Sequence, residues 1–489
     1  MFKKSLLILL AAVVGVAALS LGTGSATTAV DRSYVVLLDG SQGTDGTFRP
    51  AAGTSVQAAK NLVTREGGTV TTDLTRQIGA LLVSSNGGAF AADMRKAGGI
   101  FAVSENYAFK AFPSYEEAVA SGELKVLDSA EVSSLSDTSR DTTQLAPDPL
   151  EQQQWDMDMI DTPQAHRIQN GRRNVDVGVL DSGIDSAHQD FQGPNGPTVD
   201  VARSRDFSIG QTGPTVDNQF HGTHVAGTIA AQKNGIGVVG VAPNVTLVAV
   251  KVCEASGFCF FNNVLMGLVY AGDIQLDVIN MSFFTDDEPP AGSTEFKCRN
   301  DEQQLGYIEA TQRAINYIRG RGTVPVAALG NSDTNLARLP SGPNCDVIPA
   351  ETAGVIGVSA LGNVSERAGY SNGGKPHNDV AAPGGNGTTG DCATTILSTL
   401  PGNAYGCIQG TSMASPHAAG VAALIMSQFG QNLTPAEVAS RLQNTAIDIG
   451  PNGYDKCFGN GRIDALRAIQ NDTAHVREPA PCNLPYSNE

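Results

Sequence analysis

Val175-Asp-Val-Gly-Val-Leu180 leads into Asp181-Ser-Gly-Ile-Asp185, and the reading of this stretch decides the fold class. The run is mostly apolar and β-branched and stops at an acidic, glycine-containing turn, as a strand covered on both faces does; such strands belong to parallel sheets. Further runs of the same kind at Thr246 to Val252, Val278 to Met281, Val324 to Leu329 and Val355 to Ala360 are separated by helical stretches. That alternation predicts an α/β unit, a central parallel sheet with helices on both faces. Asp181 then stands at the C-terminal edge of a strand, where open α/β sheets place their sites.

Upstream the character of the chain changes twice. Lys3 and Lys4 precede an apolar run from Leu6 to Leu19, followed by small residues up to Ala29. A basic start, a short apolar run and small residues make residues 1–29 a secretory signal peptide; a membrane anchor would need a longer apolar span. The product is expected outside the cell, secreted and free of the membrane once that signal is removed. Residues 30–112 read as a small α+β unit, with strands at Tyr34 to Leu38, Ala80 to Ser84 and Ile100 to Glu105 and helices at Ser55 to Glu66 and Ala89 to Ala97. Cysteine and histidine are absent from 33 to 112, so a folding or inhibitory role suits it better than a catalytic one. Residues 113–149 are acidic and rich in Ser, Thr and Asp, the composition of a linker. The main unit is expected over 150–475, with a tail at 476–489 tethered by a cysteine.

A net charge of −17 excludes nucleic acid and anionic membrane surfaces as partners, since both would repel the molecule. All eight cysteines lie in the C-terminal half without paired C-x-x-C spacing, which favours disulfides over zinc. Nearest-neighbour pairing gives Cys253 with Cys259, Cys298 with Cys345, Cys392 with Cys407 and Cys457 with Cys482.

Three segments carry chemistry. His221-Gly-Thr-His224 opens a helix of small residues; its histidines lack the intervening glutamate of a zinc motif, so His221 is read as a base and His224 as a packed, hydrogen-bonded residue. Gly410-Thr-Ser412-Met-Ala-Ser415-Pro-His417 places a serine at a helix N-terminus, where negative charge is stabilised, behind a glycine that lets another chain approach. A serine hydroxyl needs an imidazole to take its proton and a carboxylate to orient that imidazole, and Asp181, His221 and Ser412 supply the set. Asn331, at the end of Ala327-Ala-Leu-Gly-Asn331, offers an amide to a developing oxyanion beside the Ser412 N–H. The nucleophile elbow of lipases, G-x-S-x-G, does not fit Gly410 to Ala414, and the chain order of the three residues differs as well.

VGVLDSGID, HGTHVAGT, VINMS, AALGN and GTSMASPH follow one another in this order, and through them residues from about 150 to 470 resemble the subtilisin-like serine proteases. The resemblance implies a three-layer fold, endopeptidase action on protein or peptide substrates, and no catalytic cofactor. It assigns orientation to Asp181, base and acid duty to His221, attack to Ser412 and oxyanion binding to Asn331. It makes the unit before residue 113 a propeptide that assists folding and then inhibits its own protease, with autoprocessing between Phe112 and Glu151. A monomer is expected. A protease dedicated to one peptide and an inactive, protease-like binding protein are the alternatives.

The same resemblance turns Gln232 to Pro243, whose glycines mimic a dinucleotide fingerprint outside its strand-to-helix context, into a calcium loop. Asp190, the Asn234 side chain and the backbone oxygens of Gln232, Ile236 and Val238 form the oxygen shell, with Glu151 as sixth ligand; a plain glycine turn is the other reading. Substrate is expected to add as a strand to the edges Ser256, Gly257, Phe258 to Cys259 and Ser282, Phe283, Phe284. Phe284 stands where the family has a glycine, which reshapes the primary specificity pocket. The acidic insertion Asp286 to Asp301 reads as a solvated loop, with basic substrates as the other possibility.

Overall fold

A computed structural model of the chain describes residues 32–136, 148–210, 212–285, 302–337, 346–387 and 390–484. The signal peptide, the insertion at 286–301 and the Cys298–Cys345 pairing lie outside the described residues.

The expected sheet is present and wholly parallel. Its seven strands run in the order Arg205–Asp206, Thr246–Lys251, Asp176–Asp181, Val278–Met281, Val324–Ala328, Ile356–Leu361 and Val380–Pro383. Asp176–Asp181 is therefore central, and every residue from Val177 to Asp181 is buried, which is why the run lacks polar alternation. Helices His221–Ala230 and Thr411–Phe429 pack together against the sheet. Helix 411–429 is buried all round over residues 411–427 rather than along one stripe, so its small residues are a packing requirement; a Cβ on Gly420 would strike the Val241 side chain.

Residues 32–105 form a separate four-stranded antiparallel sheet in the order Gly68–Leu74, Ala80–Ser85, Arg32–Leu38 and Ile100–Glu105, with helices Val56–Arg65 and Phe90–Arg95. Strand Gly68–Leu74, absent from the sequence reading, is an edge strand whose exposed Thr and Asp residues alternate with half-buried ones. This sheet packs on helix Glu302–Gly320: Arg313 Nη1 donates to Leu38 O at 2.9 Å, and its guanidinium lies 5.0 Å from the Phe48 ring and 5.2 Å from that of Phe101.

The linker reading needs correction over its described part. Tyr115–Ser121 is a helix with a complete Ser114/Glu117 capping box and a left-handed Gly122 at its end; Lys125–Val126 is a strand, and Ser129–Ser136 a further helix. Capping chemistry overrides the linker-like composition here.

Cys253–Cys259, Cys392–Cys407 and Cys457–Cys482 are bonded as expected. The last bond holds a tail that is itself packed: Arg477–Glu478 pairs with Asp448–Ile449, and Leu484 is buried. None of the described helices is long and apolar enough to cross a membrane.

Asp379 precedes the last sheet strand, accepting hydrogen bonds from Gly357 N at 2.9 Å and Gln443 Nε2 at 2.8 Å. Burial pushes its carboxyl up to about 7. The folded value lies above the unfolded one, so its contribution to stability is complete at low pH and is lost as pH rises through about 7. The unfolding midpoint, followed by thermal melts from about pH 5 to about pH 9, is expected to fall less steeply in Asp379→Asn than in the parent. Equal slopes would remove Asp379 as the cause.

Candidate active site

Asp181 ends the central strand and is fully buried. Its Oδ1 accepts the Ser182 N–H at 2.8 Å, and both carboxylate oxygens lie 3.0 Å from His221 Nδ1. A carboxylate on Nδ1 fixes the proton there and leaves Nε2 as the basic nitrogen.

His221 is the first residue of its helix, and a second buried carboxylate builds the turn that presents it. Asp217 Oδ1 accepts from Gln219 N and Phe220 N, both at 3.0 Å, while Oδ2 accepts from Thr223 N at 2.9 Å and Thr223 Oγ1 at 2.7 Å. Phe220 is thereby held at φ 118°, a backbone state that a bulky residue adopts only under such restraint. Gln219 Oε1 takes the His221 N–H at 2.7 Å. Asp217 escaped the sequence reading; an acid four residues before a helix-opening histidine is its only local signal. His224 is packed as expected, its Nε2 3.0 Å from Ile396 O, and burial drops its pKa to about 3.

Ser412 lies in the first turn of helix 411–429, where backbone N–H groups have no carbonyl a turn behind them. Its Oγ donates to Ser282 O at 2.9 Å, and Ser282 Oγ donates back to Ser412 O at 2.8 Å. The helix frees that carbonyl, because the residue four ahead is Pro416, which has no N–H. Asn331 Oδ1 accepts from Thr411 N at 3.0 Å and Thr411 Oγ1 at 2.7 Å. With its oxygen so engaged, the amide turns Nδ2 toward Gly410, where an added Cβ would come within 3.4 Å of it.

A segment of the chain itself lies in this cleft. Ala108–Lys110 pairs antiparallel with Phe258–Phe260, and Ala111 N donates to Gly257 O at 2.9 Å. The Phe109 ring lies 6.0 Å from that of Phe283, and the Phe112 ring stacks on His221 at 4.2 Å and 15°. Pro113 O then accepts from Gln219 Nε2 at 2.5 Å. Among the described residues no hydrogen bond joins Ser412 to His221.

The sequence profile of the Subtilase family matches residues 172–461. The chain belongs to the subtilase family. It is 37% identical over 316 residues to subtilisin of Bacillus pumilus, covering 65% of this chain and 98% of that one, and 37% identical to subtilisin E of Bacillus subtilis (strain 168), with 65% and 71% covered. Among solved structures it is similar to the epidermin leader peptide processing serine protease of Staphylococcus aureus, with a TM-score of 0.67 and 19% identity over 90% of this chain and 98% of that one. It is thus a subtilisin-like serine peptidase.

In this subtilase the edge Gly257 to Cys259 is a strand-pairing edge already taken by residues 108–111. Gly257 sits at φ 83° directly against Phe112 O, so a side chain there would be strained and would collide. Ser256 is exposed, whereas Ser282, Phe283 and Phe284 are buried. Phe284 lies against Gly330, 3.7 Å from where a Cβ would project, and so beside the residue that precedes Asn331.

The loop 232–238 is tightly tied. Asp190 Oδ2 accepts from Val238 N at 3.0 Å and Oδ1 from Tyr405 Oη at 2.9 Å; Asn234 Oδ1 accepts from Ile236 N at 3.0 Å; Gln232 Nε2 donates to Gly196 O at 2.8 Å. Glu151 is not poised as a ligand: its Oε1 holds the Lys233 ammonium at 2.9 Å and its Oε2 accepts Asp148 N at 3.2 Å. The acid that does enter the loop is Asp148, absent from the sequence reading, which accepts from Gly235 N at 2.8 Å and Asn234 N at 3.0 Å. Burial pushes Asp148 up to about 6 and Asp190 up to about 7; the Glu151 charge adds to the rise of Asp148, and the Asp148 charge to that of Asp190.

Proposed function

We propose that this subtilase is a secreted endopeptidase in which Ser412 attacks the substrate carbonyl, His221 takes and returns the proton, Asp181 orients His221, and Asn331 with the Ser412 N–H receives the oxyanion. The observation that carries the reading is the buried Asp181–His221 pair, 3.0 Å from either carboxylate oxygen to Nδ1, its histidine on a helix that packs against the one bearing Ser412. Ser412 turns from Ser282 O to His221 Nε2 when the cleft holds a substrate, whose own N–H groups then take carbonyl acceptors along the edges. Attack forms an acyl-enzyme and releases the amine with the proton His221 carried; water then repeats the step in reverse order. A serine-reactive fluorophosphonate probe should label the mature parent and not Ser412→Ala. Equal labelling would make the chain an inactive, protease-like binding protein.

Removing the oxyanion amide tests the next member. Asn331→Leu is expected to lower kcat by about a hundredfold to a thousandfold with KM little changed. An unchanged kcat would exclude the assignment.

Residues 30–112 act in this reading as an inhibitory propeptide, since strand 108–110 and the Phe112 ring occupy the cleft and the face of His221. A Ser412→Ala protein that still lost this unit in a pure preparation would contradict self-processing. Phe284 beside Gly330 favours a second, narrower reading, a protease dedicated to particular peptides; cleavage of a peptide library by the mature enzyme separates a broad profile from a restricted one.

Calcium belongs to the proposal as a structural ion. Two neighbouring buried carboxylates raised by desolvation are the environment that a divalent cation relieves, and the loop's donors are oxygens. Asp190, Asn234 and the carbonyls of Gln232, Ile236 and Val238 would hold it, without Glu151. Chelator is expected to lower the melting temperature by several degrees and added calcium to restore it; a melting curve indifferent to both would leave the loop a glycine turn.

A further inference from the structure

The chain between the N-terminal sheet and the peptidase is fastened at two places. Its first anchor, Ala108 to Phe112, lies in the substrate cleft. Its second is on the three-stranded sheet that includes Ala404–Ile408. Strand Lys125–Val126 pairs antiparallel with Gly406–Cys407, adding a third strand to the sheet of Ile396–Leu400 and Ala404–Ile408, and Leu127 N donates to Tyr405 O at 2.9 Å. Leu124 is buried in the same apolar core as the two central helices. Leu127 is buried with Leu150, Ala231, Val238, Leu397, Tyr405 and Cys407, with Val132 packed against them.

The two anchors have opposite consequences. The first blocks the cleft, so it must leave before a substrate can enter. The second pairs away from the Phe258–Phe260 edge: it covers an apolar cluster and the open edge of Ala404–Ile408, which would otherwise be an unpaired edge strand. Between them residues 115–117 and 119–121 are exposed, and only Ala118 in that stretch is buried.

We propose that maturation cuts the chain within residues 113–123, and that the strap from Leu124 onward remains as the N-terminal strand of the mature peptidase. The inference rests on the peptidase reading above. The step is ordinary amide hydrolysis: water supplies the hydroxyl to the carbonyl carbon, and the new amine at the head of the strap takes the proton.

The test is N-terminal sequencing and intact-mass measurement of the active product from the full chain, with fluorophosphonate labelling of the same sample. A first residue between Ser114 and Leu124 in labelled product is the expected result. A labelled product that begins beyond Leu127, or an active chain that is never cut, overturns the strap. Product that does not react with the probe instead sinks the peptidase reading, so the two failures are distinguishable. As a second measurement, Leu124→Ala with Leu127→Ala should lower the melting temperature of the mature form by several degrees; an unchanged melting temperature would mean that the strap is not part of it. Sequencing of the parent product needs no variant to fold.

Discussion

Replacing Ser412 with alanine is expected to lower peptide hydrolysis about a millionfold, the size of loss that follows when the nucleophile of a subtilisin triad is removed. Activity should not disappear altogether. Asn331, the helix N-terminus and the binding edges survive the change, and such a site retains about a thousandfold advantage over water. The measurement is single-turnover hydrolysis of a peptide substrate by purified enzyme, with the fold checked by circular dichroism. A loss below about tenfold would mean that Ser412 is only a buried helix residue, held by Ser282.

Asp181→Asn should cost about ten-thousandfold in kcat while leaving the fold intact. The side chain is isosteric, and its oxygen can still accept the Ser182 N–H that now runs to Oδ1 at 2.8 Å. What changes is the histidine. The amide presents an N–H to His221 Nδ1, which favours the tautomer with its proton on Nε2 and leaves Ser412 without a base. Nitrogen NMR of His221 reads that tautomer directly, and a kcat within tenfold of the parent would refute the orienting role.

Much of this was legible in the sequence because the signals were local. The run from Val175 to Leu180 had to be a covered strand, and the turn after it had to bring Asp181 to the sheet edge. The small residues behind His221 and Ser412 marked two helices that pack closely on that sheet. The parts that were not legible depend on long-range partners. Asp217 is a loop acid by composition, and only folding reveals the five donors it gathers on either side of His221 and from Ser182. Lys125–Val126 is two residues long, too short to show alternation, and is defined by its pairing with Gly406 and Cys407. Glu151 had the chemistry of a cation ligand, yet Lys233 in the same loop reaches it first. Phe112 looked like the last residue before a linker because the acidic stretch after it masked a capped helix.

The Cys253–Cys259 bond closes a short loop on the strand that pairs with residues 108–110, and both cysteines are buried. If the proposed removal of residues 108–112 empties that edge, the loop does not have to reorganise, and a peptide bound there as proposed would meet a rim whose freedom was already restricted by covalent means. Association then loses little to ordering, which is the advantage of a preorganised surface. Reduction of this one bond should accordingly show itself as a higher KM more than as a slower chemical step, making the oxidation state of the surroundings a determinant of how well the enzyme holds what it cuts.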